Sequence, residues 1–106
     1  MKNKLEEARD IINEVDKEMI QLFIKRMAAI KMVAEYKDEN NIAIVDNKRE
    51  DIIKTKNLEI LSNKQLEKYY LLFLEGVLNS SKSYQKDYLE QRKKWLDEPY
   101  RKIISD

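Results

Sequence analysis

Apolar residues recur at helical spacing along the first third of the chain and predict one long helix. From Leu5 to about Asp38 they step mostly by three and four positions, and neither Gly nor Pro interrupts them. The members of this series are Leu5, Ala8, Ile12, Val15, Met19, Leu22, Ala29, Val33 and Tyr36. At about 1.5 Å per residue, such a helix is roughly 50 Å long.

The length of this helix predicts that the chain associates with a second copy of itself. A compact domain of this size has a radius of gyration of about 13 Å. The helix would therefore extend beyond its own globule, and one end of its apolar stripe would be exposed to water. A partner helix from a second copy is the simplest cover, so we predict an intertwined homodimer.

A second helical segment follows after a loop. Residues 38–45 contain Asn40 and Asn41 and break the apolar series. Asp46 is placed to cap the second helix. The residues that we expect this helix to bury are Ile52, Ile53, Leu58 and Leu61.

A capping-box signature predicts the start of a third helix, because Ser62 is followed three residues later by Gln65. Pro99 predicts its end at the latest. Its apolar and aromatic residues are Leu66, Tyr69, Tyr70, Phe73, Leu74, Val77, Leu78, Tyr84, Tyr88 and Leu89. The sequence therefore predicts an all-α fold with three helices per chain. We expect one domain over residues 1–106, in which 92–106 form a C-terminal extension of unknown role.

Composition narrows the range of partners. Charged residues make up 39% of the chain, yet the net charge is only +1, which indicates solvated helix faces and no nucleic-acid partner. The basic run from Arg92 to Lys94 is followed by Asp97 and Glu98, as at a solvated helix end.

The sequence also argues against export and membrane insertion. No run approaches the roughly 20 apolar residues of a membrane span, and residues 1–10 lack the apolar stretch of a secretory signal. The absence of Cys fits a reducing compartment. We therefore expect a cytoplasmic protein without a membrane partner.

The residue types that are missing limit the chemistry. The chain has no His and no Cys, so the commonest general bases, thiol nucleophiles and zinc ligands are absent. We expect no metal and no cofactor. Cationic and hydrogen-bonding side chains remain, and these suit binding of a small polyanion.

Polar residues on the first helix are the first candidates for such a site. Arg26 and Lys37 are eleven residues apart, so they differ by only ~20° around a helix and face the same way. Arg9 precedes Arg26 by seventeen residues and lies about 100° away, so it is better placed to reach a partner's pocket. Taken alone, Arg26 is explained by an ion pair or an extended side chain, and Arg9 and Lys37 by ordinary surface charge.

Two further groups of polar residues are candidates. One lies at the start of the second helix and the other lies on the third. Asp46 and Glu50 are four residues apart with Arg49 beside them, and a helix cap with a solvated first turn explains them equally well. Ser81 and Gln85 are also four residues apart, and taken alone they are explained as polar side chains exposed to solvent. The order and spacing of all eight residues are more specific than any one of them.

That order resembles the all-helical (type II) chorismate mutase family in its monofunctional form. The resemblance rests on the strings LEEARDIINEVDKEMIQLFIKRMAAIKMVAEYK, IVDNKRE and SSKSYQ, and runs from about Leu5 to Gln91. Family members carry an Arg near the start of the first helix, an Arg seventeen residues later and a Lys eleven beyond it. An Asp-x-x-Arg-Glu then opens the second helix, and a Ser-x-x-x-Gln lies on the third. The residues that match these positions are Arg9, Arg26, Lys37, Asp46, Arg49, Glu50, Ser81 and Gln85.

The resemblance implies rearrangement of chorismate to prephenate, in phenylalanine and tyrosine biosynthesis. Arg26 and the partner's Arg9 would clamp the two carboxylates of the substrate, with Arg49 and Ser81 assisting. Lys37 and Gln85 would donate to the ether oxygen. Glu50, helped by Asp46, would accept from the ring hydroxyl.

Two other functions remain open at this point. One is an isochorismate–pyruvate lyase on the same fold, which also needs cations around an anionic ring ether. The other is a helical dimer without catalytic activity, in which the same charges lie on the surface. The complete set of eight residues favours the mutase.

Overall fold

In a computed structural model, three α-helices and one short 3₁₀ helix make up the described part of the chain. The structure describes residues 1–97, with side chains as far as Trp95. Helix α1 spans Lys4–Glu39, α2 spans Asn47–Ile60, the 3₁₀ helix spans Lys64–Leu66, and α3 spans Glu67–Asp97. The described residues contain no strand, so the predicted all-α fold of three helices is confirmed.

The first helix begins and ends at identifiable caps. The Asn3 side chain accepts a hydrogen bond from the backbone N–H of Glu6 at 2.9 Å. At the other end Asn41 has a φ of 55°, and the N–H of Ile42 bonds back to the carbonyl of Lys37 at 2.8 Å. The predicted boundaries of 5 and 38 are therefore each one residue inside the observed ones.

The second helix starts as predicted, but one of its expected buried residues is exposed. The Asp46 side chain accepts from the N–H of Arg49 at 3.0 Å and caps the helix. Ile53, Leu58 and Leu61 are half-buried, whereas Ile52 is 46% exposed. Neighbouring residues on a helix point about 100° apart, so Ile52 and Ile53 cannot both pack on the same neighbour.

The prediction that Ser62 caps the third helix is wrong. The side chain of Asn63 accepts from the N–H of Gln65 at 3.1 Å and opens the 3₁₀ helix, and α3 begins only at Glu67. The physical reason is that the chain makes a 3₁₀ turn before the α-helix, which moves the capping position by one residue. Pro99 lies outside the described residues.

The core lies where the second half of α1 packs on α3. Its buried apolar residues among those described are Ala34, Leu74 and Leu78. Two polar residues of α3, Ser81 and Gln85, are buried with them, at 4% and 5% exposure. The tight core therefore adjoins two of the predicted site residues.

The first half of α1 has no cover in the single chain. Every residue from 1 to 25 is exposed, and the exposed apolar side chains there include Leu5, Ile12, Val15, Leu22 and Phe23. The described chain extends over 66 × 35 × 15 Å with a radius of gyration of 19.3 Å, well above the roughly 13 Å of a compact domain of this length. None of its helices combines the length and apolar character that a membrane span requires.

Candidate active site

Seven of the eight predicted residues line one cavity between the three helices. The cavity has a volume of about 170 Å³, smaller than the ~300–1,000 Å³ of pockets for drug-sized ligands, so it suits a small molecule. Its predicted polar lining residues are Arg26, Lys37, Asp46, Arg49, Glu50, Ser81 and Gln85. Apolar walls are supplied by Ile30, Val33, Ile44, Ile53 and Leu78. We refer to this cavity as the polar pocket.

Arg26 is held at one end of the polar pocket by α3. Its guanidinium donates to the hydroxyl oxygen of Ser81, and that hydroxyl donates in turn to the carbonyl of Val77 at 2.9 Å. The two bonds fix the direction of a planar group whose remaining N–H donors can still bind a carboxylate. Ser81 therefore positions Arg26, in addition to lining the pocket itself.

Lys37 joins the last turn of α1 to the loop before α2. Its ammonium donates to the carbonyl of Ile44 at 3.0 Å. An ammonium has three N–H donors, so this bond leaves two for a ligand. The same bond holds the loop against α1, which makes Ile44 part of the pocket wall.

The first turn of α2 contributes the acidic side of the pocket. Asp46 caps the helix through the N–H of Arg49, so its carboxylate has a structural role as well as a place in the lining. Glu50 lies one turn on, with its side chain only 19% exposed. A carboxylate oxygen of Glu50 pairs with the ammonium of Lys82 on α3 at 3.0 Å.

Gln85 is the most deeply buried hydrogen-bonding group on α3 after Ser81. Its Nε2 donates to the carbonyl of Ser81 at 3.3 Å, which uses one of two amide protons and leaves the other for a ligand. Its Oε1 is buried and has no hydrogen-bond partner among the described residues. An unpaired buried acceptor costs about 1–3 kcal/mol, and such groups call for a functional explanation.

Arg9 is not brought to the polar pocket of its own chain. It is exposed on the uncovered half of α1. Seventeen residues separate it from Arg26, which is roughly 26 Å along the helix axis. Its predicted contribution therefore depends on a partner chain, and the prediction of a shared site remains a prediction.

The charges of the polar pocket favour an anionic ligand. Four cationic side chains line it, namely Arg26, Lys37, Arg49 and Lys82, against the two carboxylates of Asp46 and Glu50. The excess of two positive charges is suited to a dicarboxylate.

A second, apolar cavity adjoins the polar pocket. It has a volume of about 550 Å³, and Arg26, Arg49 and Ile53 line both cavities. Its apolar lining comes from α1 and α3 and includes Met19, Leu22, Phe23, Phe73 and Val77. Phe23 and Phe73 are more than half exposed in the single chain, so this cavity is an open groove. We refer to it as the apolar groove.

Further contacts between α1 and α3 are made by residues outside the lining of the polar pocket. The hydroxyl of Tyr88 donates to a carboxylate oxygen of Glu35 at 2.8 Å, and the ammonium of Lys31 lies 5.3 Å from the centre of the Tyr88 ring. Arg92 pairs with Asp38 at 3.6 Å and with Glu39 at 3.3 Å. We call these contacts the α1–α3 clasp.

The clasp shifts the titration of two of its members. The hydrogen bond to Glu35, together with partial burial, raises the pKa of Tyr88 above its usual value. The hydrogen bond to Glu39 raises the pKa of Arg92, although burial acts in the opposite direction. In both cases the contacts of the clasp stabilise the protonated form of the side chain.

Lys82 is the charged residue of the pocket that the sequence did not single out. It occupies one of the unspecified positions between Ser81 and Gln85, and neighbouring lysines at 86, 93 and 94 gave no reason to separate it. Its position three residues before Gln85 could have indicated a place in the same pocket, since residues three apart lie on neighbouring parts of a helix surface.

The chain belongs to the type II chorismate mutase family, whose sequence model matches residues 8–86. It is 34% identical over 97 residues to a "Bifunctional chorismate mutase/prephenate dehydratase" of Buchnera aphidicola subsp. Baizongia pistaciae, covering 91% of this chain and 24% of that one. It is 30% identical over 92 residues to a "Chorismate mutase" of Methanocaldococcus jannaschii, covering 86% of this chain and 93% of that one.

The two relatives differ in how much of their length this chain spans. It spans about a quarter of the Buchnera protein and nearly all of the Methanocaldococcus protein. No solved structure matched the chain. The predicted family is confirmed, and the match ends before the residues of the clasp that lie on α3, Tyr88 and Arg92.

Proposed function

We propose that the protein is a chorismate mutase, an isomerase that rearranges chorismate to prephenate in the biosynthesis of phenylalanine and tyrosine. The observation that carries this proposal is the convergence of seven family residues, from three helices, on one small cationic pocket. Two comparisons support the proposal. The chain belongs to the family, and it spans almost the whole length of the Methanocaldococcus relative.

The reaction makes limited chemical demands, and the pocket is suited to them. Within one molecule a C–O bond breaks while a C–C bond forms, so no proton needs to be transferred to or from the protein. The protein must hold the substrate in its compact reactive conformer and stabilise negative charge on the ether oxygen as the C–O bond breaks. Fixed cations and amide donors in a small pocket provide both functions.

We assign the two substrate carboxylates to the arginine end of the pocket. Arg26, which Ser81 holds in place, binds one carboxylate through its remaining N–H donors, and Arg49 assists. The second carboxylate is assigned to the partner's Arg9.

We assign the ether oxygen to Lys37 and Gln85. They lie on different helices, α1 and α3, and both line the same cavity. Each retains a donor that is not used by its bond to a backbone carbonyl, at Ile44 and Ser81 respectively. Negative charge on the ether oxygen is greatest in the transition state, so these donors stabilise it more than they stabilise the bound substrate.

We assign the ring hydroxyl to Glu50. A carboxylate oxygen accepts a hydrogen bond from a hydroxyl, and one oxygen of Glu50 is not used by its pairing with Lys82. Asp46 supports this role by capping the helix turn that carries Glu50.

We further propose that the working form is a homodimer with antiparallel α1 helices. For the partner's Arg9 to lie beside Arg26, the two helices must cross near the midpoint of these positions, around Lys17 and Glu18. That crossing pairs Ile12 with Phe23 and Val15 with Ile20, all of which are exposed in the single chain. A partner helix in this position also covers the apolar groove that shares Arg26 with the polar pocket.

The first test is to add the purified protein to chorismate, follow the loss of its diene absorbance, and identify the product. We expect prephenate, formed at a rate proportional to protein concentration. Removing one transition-state donor typically lowers the rate by about 10²–10³, so Lys37→Ala should lose at least that factor while keeping the fold and size of the wild-type protein. Lys25→Ala, at an exposed position of the same helix, is the matched control and should retain full activity.

The other functions would be recognised by different outcomes. Release of pyruvate from isochorismate, without turnover of chorismate, would identify a lyase. A well-folded protein that is inactive on both substrates would indicate a binding role. Turnover of chorismate that is unchanged in Lys37→Ala would contradict the role assigned to that residue.

A cytoplasmic location also stays a prediction from the sequence. Fractionation of cells that express the chain would test it.

A further inference from the structure

The ion pair between Lys82 and Glu50 differs from the other ion pairs of the described residues in that its carboxylate side chain is mostly buried. Its ammonium and carboxylate are 3.0 Å apart and join α3 to the first turn of α2. The Glu50 side chain is 19% exposed, whereas the acidic partners in the other ion pairs of the described residues are 50% exposed or more. Both residues line the polar pocket.

Exposed ion pairs contribute little, because water screens them and long side chains lose entropy. This pair is less screened, since the side chain of Glu50 is only 19% exposed and that of Lys82 is 36% exposed. The two residues are also far apart in sequence and lie on different helices, so their contact restricts how α2 and α3 meet.

The pair determines what else Glu50 can bind. The pocket also holds Arg26, Lys37 and Arg49, and each is a competing partner for a nearby carboxylate. A Glu50 side chain drawn to either arginine would neutralise a group that is needed for the carboxylates of the ligand. Pairing through one oxygen with Lys82 holds Glu50 at the α3 side and leaves its second oxygen to accept another hydrogen bond.

We propose that Lys82 is a positioning residue for Glu50, which it holds in place to receive the ring hydroxyl of the substrate. This inference rests on the proposed chorismate mutase function. Lys82 acts through Glu50 and not by binding the substrate carboxylates. A site built around a fixed acceptor discriminates strongly against ligands that lack the matching hydroxyl, so the pair also contributes to substrate selection.

The test is a double-mutant cycle on kcat and KM for chorismate, with Lys82→Met, Glu50→Gln and the double variant. Lys82→Met should lower kcat roughly tenfold with little change in KM, as expected when residues in contact are coupled. In the Glu50→Gln background the same substitution should change kcat less than about twofold, because the carboxylate that Lys82 positions is gone. Lys82→Arg, which preserves the charge and the donors, should recover most of the activity.

The matched control is Lys86→Met, which removes the same charge one turn further along α3 at an exposed position outside the pocket lining. It should leave kcat and KM unchanged. Equal losses from Lys82→Met in both backgrounds would overturn the proposal and indicate a direct action on the substrate. A Lys82→Met variant as active as Lys86→Met would overturn it as well.

Thermal denaturation of the same four proteins provides a readout that does not depend on activity. The Tm changes of Lys82→Met and Glu50→Gln should be non-additive, since each removes the same ion pair. Additive changes would overturn the proposal even if chorismate is turned over. If the wild-type protein proves inactive on chorismate, the proposed function fails, whereas non-additive Tm changes still support Lys82 as the residue that positions Glu50.

Discussion

At the scale of single residues, Gln85 determines how we expect the activity of the protein to depend on pH. It is buried at 5% exposure, and its amide bonds to the carbonyl of Ser81. An amide donates a hydrogen bond at every relevant pH, whereas a carboxyl group donates only when it is protonated. The donor that we assign to the ether oxygen is therefore in its active form throughout this range.

We predict that the wild-type protein is active at neutral pH without an acid optimum, and that Gln85→Glu moves its activity to acid pH. The introduced carboxyl must hold its proton to donate, and an unperturbed Glu has a pKa of about 4.3. Profiles of kcat/KM between pH 4 and 8 would measure the change. Gln91→Glu, at an exposed position on the same helix, should keep the wild-type profile, and a wild-type rate confined to low pH would contradict the assignment.

The resemblance to the family predicted which residues of the three helices form the polar pocket, and residue spacing alone placed only those that share a helix face. Positions such as Arg26 and Lys37 share a helix face, so the sequence alone places them together. Lys82 was missed because its importance arises from a contact with Glu50, 32 positions earlier, and helical periodicity carries no information on contacts between helices. Arg9 lies outside the pocket of its own chain, as its different helix face predicted.

At the scale of elements, the α1–α3 clasp extends the fold beyond the segment that matches the family. Tyr88 and Arg92 lie after residue 86, where that match ends. They bind Glu35, Asp38 and Glu39, which flank Lys37 on the last turns of α1. The clasp therefore fixes the helix end from which Lys37 reaches the pocket.

We predict that Tyr88→Phe lowers stability at pH 8 and has a smaller effect at pH 11. The pKa of Tyr88 is raised in the folded protein, while the unfolded chain titrates near the ordinary value of about 10. The stabilisation is thus complete below about pH 10 and is lost as the pH rises through the higher folded value. Lys31, Glu35, Tyr84 and Arg92 surround Tyr88 in both proteins, so the difference between them isolates the hydroxyl.

The measurement is thermal denaturation of the two proteins at both pH values. Tyr36→Phe, which removes a hydroxyl from an exposed residue of α1, is the control and should show no such change. A difference between wild type and Tyr88→Phe that stays constant from pH 8 to 11 would contradict the assigned hydrogen bond.

Helix boundaries were predictable where local chemistry decides them. An uninterrupted apolar series fixed α1 to within one residue at each end, and Asp46 capped α2 as expected. The start of α3 was misplaced because Ser62 and Asn63 are both good caps, and the 3₁₀ turn that selects Asn63 depends on how the chain leaves α2. The clasp could not be predicted, since its partners are at least 53 positions apart.

At the scale of the whole molecule, the uncovered half of α1 is the strongest support for a shared site. Mixing Arg9→Ala chains with Lys37→Ala chains should restore activity that neither protein has alone. In a mixed dimer, one pocket combines an intact Lys37 with the partner's Arg9, and the other pocket lacks both. An equal mixture should therefore reach about one quarter of the wild-type activity, if chains pair at random and only complete sites work.

Subunit exchange must be verified, for example by native mass spectrometry of differently tagged chains. Two Arg9→Ala proteins with different tags serve as the control, and their mixing should restore nothing. Exchange without recovery would argue against a pocket completed by the partner chain.

The exposed first half of α1 also has a consequence for how the protein folds. Residues 4–25 are helical, yet every one of them is exposed in the single chain, and a helix with little packing is only marginally stable in water. The second half of α1 can pack on α3 in a unimolecular step, whereas in the proposed homodimer the first half is covered only when it meets another chain. For the homodimer that we propose, completion of the native state is thus bimolecular, and newly made chains would reach it faster as their concentration rises.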